Sequence, residues 1–260
     1  QLWPVFHSLE QVSWCPPQAP SLSEAWLKID SGMHRLGFSI GEIATIRSTL
    51  ESHGFKNLTL MSHLAAAEYC EGELNKSQLR LWRSALQQWD ASTSIQNSAA
   101  IRTFSSAGSD WARVGYALFG GNIQGIPKDV SLKPTMHLQS EVIATRKILQ
   151  GNSVGYGGRW VAPRDSIIAT LPIGYGDGYP RSAIDGTPVL VNGLLGKLAG
   201  RVSMDMITVD VTDCGDIKPG MPATLWGGEI DIDDVALNCG TIGYELMTRI
   251  TDRVPRCYHE

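Results

Sequence analysis

Two tyrosines, Tyr156 and Tyr175, stand on glycine-rich tips within residues 153–181, SVGYGGRWVAPRDSIIATLPIGYGDGYPR. Glycines beside a tyrosine let the backbone turn sharply and approach a ligand closely. The phenol on such a turn presents its hydroxyl without burying its ring. A phenol has a pKa near 10 when free, so it becomes a proton-transfer base only beside cations that favour its anion. Between the tips, residues 166–173 run apolar as a buried strand. Further on, residues 200–211 (GRVSMDMITVDV) read as another strand and carry Met204 and Asp205. Taken singly, each tyrosine also reads as a turn aromatic, and an edge position accounts for Asp205.

The first half carries a second set of polar groups. Arg35 follows EAWLKID in SGMHRLG, His63 ends NLTLMSH, and Asn97 and Ser98 end STSIQNS. Taken alone, Arg35 is a surface arginine, His63 is equally a core histidine or a site group, and Ser98 caps a helix as readily as it binds an anion. Arg113, inside WARVGYAL, is harder to set aside, because a buried guanidinium keeps its charge and needs an acceptor or anion. Lys28 poses the same question, with Asp30 as one available partner.

Elements must hold these groups. Residues 2–7 read as a short strand and 24–30 as a better one. Ser39 and Glu42 have capping-box spacing, with Ile40, Ile43, Ile46 and Leu50 on one face and Gly54 to end the helix. Residues 57–62 are a strand, 75–89 an amphipathic helix, 93–97 a short strand and 110–118 another. Strands alternating with helices imply parallel pairing. Arg35, His63, Asn97 and Ser98 then fall at C-terminal strand ends, where a (β/α) barrel builds its active site. Residues 120–134, rich in glycine and proline, read as a linker. Strands follow at 136–148, 166–173, 188–191, 200–204, 207–211 and 223–225. Turns at Asn192-Gly193 and Pro219-Gly220 separate some of them, and helices at 231–238 and 242–248 close the chain, with Thr241 placed to cap the second. The expected architecture is α/β plus β: part of a (β/α) TIM-type barrel over residues 1–125, then a mixed β domain over 126–260.

Ordinary globular composition and a net charge of −4 leave no basic surface for nucleic acid or an anionic membrane. Five cysteines without a paired spacing read as reduced thiols of a cytoplasmic protein, and no metal site is expected. No stretch is long enough to span a membrane, and none resembles a signal peptide. The chain opens at Gln1 on what already reads as an element, so further N-terminal residues are expected.

These segments together, with the tail TIGYELMTRITDRVPRCYHE, resemble alanine racemase, a fold-type III pyridoxal phosphate enzyme, over essentially the whole sequence. The family's lysine motif, close to K-A-x-A-Y-G-H-G, is not among these residues. The resemblance implies that Tyr156 is a catalytic base and that His63 and Arg113 belong to a chain of groups tuning the site. It implies that Arg113 faces the pyridine nitrogen and that Arg35 positions substrate and the cofactor's phenolic oxygen. Asn97, Ser98, Gly115, Tyr116 and Tyr244 would contact the phosphate region. Tyr175, Met204 and Asp205 would shape a substrate entrance that reaches a partner subunit's site. Lys28 matches a lysine that some relatives carry carbamylated. The implied function is interconversion of L- and D-alanine for peptidoglycan synthesis by a homodimer with shared sites, inactive without the lysine segment. A broad-specificity amino-acid racemase and a non-catalytic remnant of the fold are the alternatives.

Overall fold

The computed structural model describes residues 2–15, 23–104, 107, 109–123 and 132–259. Among these, the chain forms two units. One holds the residues up to Gly115 together with Ile123, and the other holds Tyr116–Asn122 and residues 132–259. The boundary expected between residues 125 and 126 lies outside the described residues, as do most of the proline-rich loop after Cys15 and the middle of the expected linker.

In the first unit, strands β1 (Val5–Phe6), β2 (Glu24–Lys28), β3 (Asn57–Met61) and β4 (Thr93–Ser94) pair in parallel and in sequence order. Helices α1 (Leu9–Ser13), α2 (Ile43–Ser52), α3 (Glu73–Leu86) and α4 (Ser98–Thr103) follow the successive strands. Neighbours in sequence order are the barrel arrangement, unlike a doubly wound sheet, whose order reverses. A short 3₁₀ turn leads into α2, where the Glu42 carboxylate accepts the Ser39 N–H at 2.9 Å and its hydroxyl at 2.7 Å. Ile43, Ile46 and Leu50 point inward, and Gly54, at φ +97°, releases the chain in a conformation that a side chain would resist. Trp82 of α3 is fully buried and its indole N–H donates to the Ala107 carbonyl at 3.1 Å. It packs in a continuous core with Leu27, Ile29, Leu60 and Ile95.

In the second unit, strands β5 (Leu138–Glu141), β6 (Ala144–Ile148), β9 (Ser166–Leu171), β10 (Pro188–Val191), β11 (Leu194–Leu198), β12 (Ile207–Asp210) and β13 (Pro222–Trp226) form one sheet in the order β5-β13-β10-β11-β12-β9-β6. Every pairing in it is antiparallel. Helices α5 (Ile232–Asn238) and α6 (Gly243–Arg249) make the domain mixed. Asn192 and Gly193 join β10 to β11 with φ of 49° and 78°, the handedness that a two-residue hairpin needs. Outside this sheet, β7 (Ser153–Val154) and β8 (Trp160–Val161) form a small hairpin of their own.

Several expected elements are corrected. Residues 110–118 are not a strand: Arg113 makes an isolated bridge to Asn97, and a 3₁₀ turn begins at Tyr116. The segment is held to β4 by side chains instead, Asp110 accepting from the Thr93 N–H and hydroxyl at 2.8 and 2.7 Å, and Ser94 donating to the Trp111 carbonyl at 2.8 Å. Residues 200–204 are not a strand either. Gly200 sits at φ +96°, and the Ser203 N–H turns back to the Met206 carbonyl at 2.9 Å, so Met204 and Asp205 occupy a turn. Residues 136–148 hold two strands, broken at Val142 and Ile143, and 2–7 shrink to two paired residues. The helix α6 starts at Gly243, so its N-cap is Ile242, and the Thr241 hydroxyl donates to the Glu245 carboxylate instead.

Candidate active site

The barrel unit gathers its cationic groups where the parallel strands end. Lys28 closes β2, His63 follows β3, and Arg113 comes in beside β4. Buried Ser62 and Ser31 fix the strand ends, their hydroxyls 2.7 Å apart and Ser62 donating to the Ile29 carbonyl at 3.1 Å. Gln78, fully buried on α3, donates to the His63 carbonyl at 3.0 Å and accepts the Ala65 N–H at 2.9 Å, which locks the backbone that presents His63.

Arg113 donates to the Ser94 hydroxyl at 2.5 Å, the Ser62 carbonyl at 2.7 Å and His63 Nδ1 at 3.2 Å. A guanidinium can only donate, so Nδ1 must accept, and the ring is neutral with its proton on Nε2. Electrostatics agree. Burial, then Arg113, Lys28 and Arg35, bring His63 from 6.5 to about 4. Burial lowers Arg113 to about 10, which leaves it charged at neutral pH. Burial, Arg113 and Arg35 likewise lower Lys28, against the weaker pull of Asp30.

Asp30 does not pair with Lys28. Its Oδ1 accepts the N–H groups of Gly32, Met33 and His34 at 2.8, 3.0 and 3.0 Å, and its Oδ2 meets the His34 ring at 3.0 Å. Those donors outweigh burial and hold the carboxyl below its usual range. This turn brings Phe38 back onto the end of β2 and leaves Arg35 exposed beside Lys28 and His63 along one cleft. Ser98, buried at the start of α4, accepts the Gly115 N–H at 3.1 Å, while Asn97 supplies the N-cap by accepting from Ala100 at 2.9 Å.

The neutral ring carries a pH signature. The unfolded chain binds a proton on His63 near 6.5, whereas the folded chain resists it down to about 4. The unfolded state therefore holds more protons in that window, so this contribution to stability is complete above it and is lost as pH falls through it. The melting temperature is expected to drop across the window more steeply in the unsubstituted chain than in His63→Asn. Equal drops in both would contradict the neutral assignment.

In the second unit, Tyr156 begins a 3₁₀ turn between β7 and β8 and is 70% exposed. Gly155, Gly157 and Gly158 all have positive φ. Gly155 lies against the backbone of residues 200–201, and Arg201 Nε stands 3.9 Å from where a Cβ at Gly157 would be. The Tyr175 turn rests on the same strap. Tyr175 N–H donates to the Ser203 carbonyl at 3.0 Å and Gly176 N–H to the Met204 carbonyl at 2.8 Å. A Cβ on Gly174 would stand 2.3 Å from the Ser203 oxygen, so only glycine fits there. Arg253 reaches Asp205 at 2.6 Å and Asp177 at 3.4 Å. Segment 200–206 thus gathers Tyr156, Tyr175, Met204 and Asp205.

Tyr116 and Tyr244 also belong to this unit, stacked with ring centroids 3.9 Å apart. The Tyr116 hydroxyl donates to Asp233 at 2.8 Å, and burial together with that carboxylate holds its pKa well above the ordinary value. Gly121 and Gly243 leave room for its ring and hydroxyl.

The structure therefore assembles the expected residues as two sets, one in each unit. Sequence reading missed Ser62, Ser94, Gln78, Asp233, Arg201 and Arg253. Gln78 offered the clearest signal, a polar residue on the inward face of an amphipathic helix. Among the described residues no group of acidic, histidine and cysteine side chains is arranged to hold a metal. No helix among them is long and apolar enough to cross a membrane.

Comparison with known proteins matches residues 1–123 to the family profile "Alanine racemase, N-terminal domain" and residues 135–258 to "Alanine racemase, C-terminal domain". The chain is 44% identical over 236 residues to the biosynthetic alanine racemase of Pseudomonas aeruginosa, covering 90% of the chain and 66% of that protein. The crystal structure of the biosynthetic alanine racemase from that organism superposes with a TM-score of 0.88 at 42% identity, over 98% of this chain and 73% of that one. The alanine racemase of Bartonella henselae, solved with covalently bound pyridoxal phosphate, superposes with a TM-score of 0.84 at 29% identity, over 99% and 73% of the two chains.

Proposed function

The chain belongs to the alanine racemase family of pyridoxal phosphate-dependent isomerases, and on that premise we propose that it interconverts L-alanine and D-alanine by two-base proton transfer. The D-alanine supplies peptidoglycan synthesis in the cytoplasm. The observation that carries this reading is the set of three cations, Lys28, Arg35 and Arg113, around a neutral His63. The nearby carboxylate, Asp30, is already engaged by its own turn. Such a site is short of negative charge and suits an anionic cofactor and a carboxylate substrate.

The donor set fits pyridoxal phosphate. Ser98, Asn97 and the backbone at Gly115 and Tyr116 would hold the phosphate together with Tyr244, and Arg113 would face the ring nitrogen. When bound, the cofactor supplies an electron sink that makes the Cα proton of alanine removable. The chain's own residues do the rest. Arg35 positions the substrate, and carbamylation of Lys28, as some relatives carry it, would exchange one of the three cations for an anion and relieve their crowding. Tyr156 moves the proton on one face of Cα, opposite the lysine that the family's motif provides. Tyr175, Met204 and Asp205 narrow the entrance, and the enzyme works as a homodimer in which they serve the partner's site.

None of the eight lysines, Lys28, Lys56, Lys76, Lys128, Lys133, Lys147, Lys197 and Lys218, lies in the family's motif. These 260 residues by themselves are therefore expected not to racemise alanine, because one face of Cα lacks its base. The test compares the purified chain with a reconstituted enzyme, in which an N-terminal segment carrying the family's lysine motif precedes it. Each is given pyridoxal phosphate, assayed for alanine racemisation, reduced with borohydride and mapped for modified lysine. Only the reconstituted enzyme should be active, labelled in the motif and dimeric in sedimentation. Racemisation by the chain alone with one of its own lysines labelled would overturn the inactivity. A labelled, dimeric but inactive reconstitution would overturn the function, and serine or other amino acids turned over as well as alanine would favour a broad-specificity racemase.

A further inference from the structure

The Tyr156 side chain is exposed, so its direction follows from its backbone. That backbone belongs to the hairpin of β7 and β8, which lies outside the seven-stranded sheet. Arg159, the residue that ends the Tyr156 turn, ties this hairpin to the rest of the unit. Its Nη2 donates to the carbonyls of Ala183 and Gly200 at 3.1 and 2.9 Å and to Asp185 Oδ1 at 3.0 Å. The same Asp185 oxygen accepts the Gly200 N–H at 2.7 Å. Arg159 and Asp185 are each under a third exposed, so their ion pair is shielded from water. A Cβ on Gly200 would stand 2.9 Å from the Val154 carbonyl, so the hairpin and the strap meet backbone to backbone at this clamp.

We propose that Arg159, held by Asp185, is a positioning residue that aims Tyr156. One guanidinium nitrogen meets three acceptors on two chain segments, so a single side chain ties both to the turn. It fixes the turn to residue 200, the start of the strap that also carries Met204 and Asp205. The proposal rests on the reading of Tyr156 as a base.

The test uses Arg159→Met, Tyr156→Phe and the double variant in the reconstituted enzyme, with amide exchange measured on the 260-residue chain as well. Arg159→Met should leave KM for alanine within about twofold and lower kcat by roughly 10- to 100-fold, an effect of the size that small misplacements cause. The loss should fall on the direction of Cα exchange that Tyr156 serves. In the double variant it should add nothing to Tyr156→Phe. The amides of residues 155–158 should exchange faster while those of β9 to β12 do not. Additive losses, or an unchanged turn, would overturn the proposal. If Tyr156→Phe alone changes nothing, the base assignment fails first, and the amide exchange still reports on the clamp. Should Arg159→Met lose its fold, Arg159→Lys is expected to give the same one-sided loss at smaller size, and a loss shared by both directions would overturn the proposal.

Discussion

Tyr156→Phe in the reconstituted enzyme is expected to lower alanine racemisation by roughly 10²- to 10⁴-fold, the range for loss of a positioned general base. The substitution removes one oxygen from a side chain that is 70% exposed and whose hydroxyl has no hydrogen-bond partner among the described residues. Folding stability should therefore stay put, and a change in rate reports on chemistry. The diagnostic is the symmetry of the loss. A two-base racemase exchanges the Cα proton of each enantiomer through a different group. Without the phenol, solvent deuterium should still enter one enantiomer at a substantial rate, through the lysine face, and hardly enter the other. A single base serving both faces would instead lose both exchanges together, and unchanged racemisation in both directions would sink the assignment.

Much of this arrangement is legible in the sequence, and what is not has a physical cause. The alternation that places His63, Asn97 and Ser98 at strand ends is read from apolar periods, and the parallel order of β1 to β4 follows. Hairpin chemistry marks Asn192-Gly193 as a turn, although the strand after it, β11, escapes notice because Leu194, Leu195 and Lys197 face outward. Residues 110–118 look apolar enough for a strand, yet Trp111 and Val114 are left partly exposed and Arg113 spends its donors on side chains and one carbonyl from other elements. Periodicity cannot see such a segment, because long-range hydrogen bonds shape it. The strap at 200–206 fails for a related reason. Its carbonyls accept from the Tyr175 turn rather than from a ladder, a pairing that no local pattern encodes. The residues that tie these segments together by hydrogen bonds, Gln78, Ser62, Arg159 and Asp185, carry no chemistry of their own to attract attention. Only folding shows what they touch.

Arg113→Glu is expected to reduce racemisation by roughly 10²- to 10³-fold, the cost of removing one preorganised charged donor from a reacting centre, and to introduce transamination. The guanidinium, brought by burial to about 10, stays protonated at neutral pH and holds its proton. In the proposed reading it would face the ring nitrogen without handing that proton over, so the electron pair left at Cα would be drawn less far into the ring and would take up a proton at Cα. A carboxylic acid in its place can share a proton with the nitrogen and draw the charge inward. Pyruvate released from alanine should then rise, to at most one per cofactor because the amino group would stay on the cofactor, as racemisation falls. The substitution also strips His63 Nδ1, the Ser62 carbonyl and the Ser94 hydroxyl of their shared partner, so it should soften the fold as well. Arg113→Lys separates the two effects. It keeps a cation and some donors while losing the planar fork, and it is expected to weaken activity without producing pyruvate. Pyruvate from the glutamate variant alone would mark proton sharing at the ring as the cause. Equal pyruvate from both variants would instead mark a loosened site, and normal racemisation without pyruvate in Arg113→Glu would place Arg113 away from the cofactor.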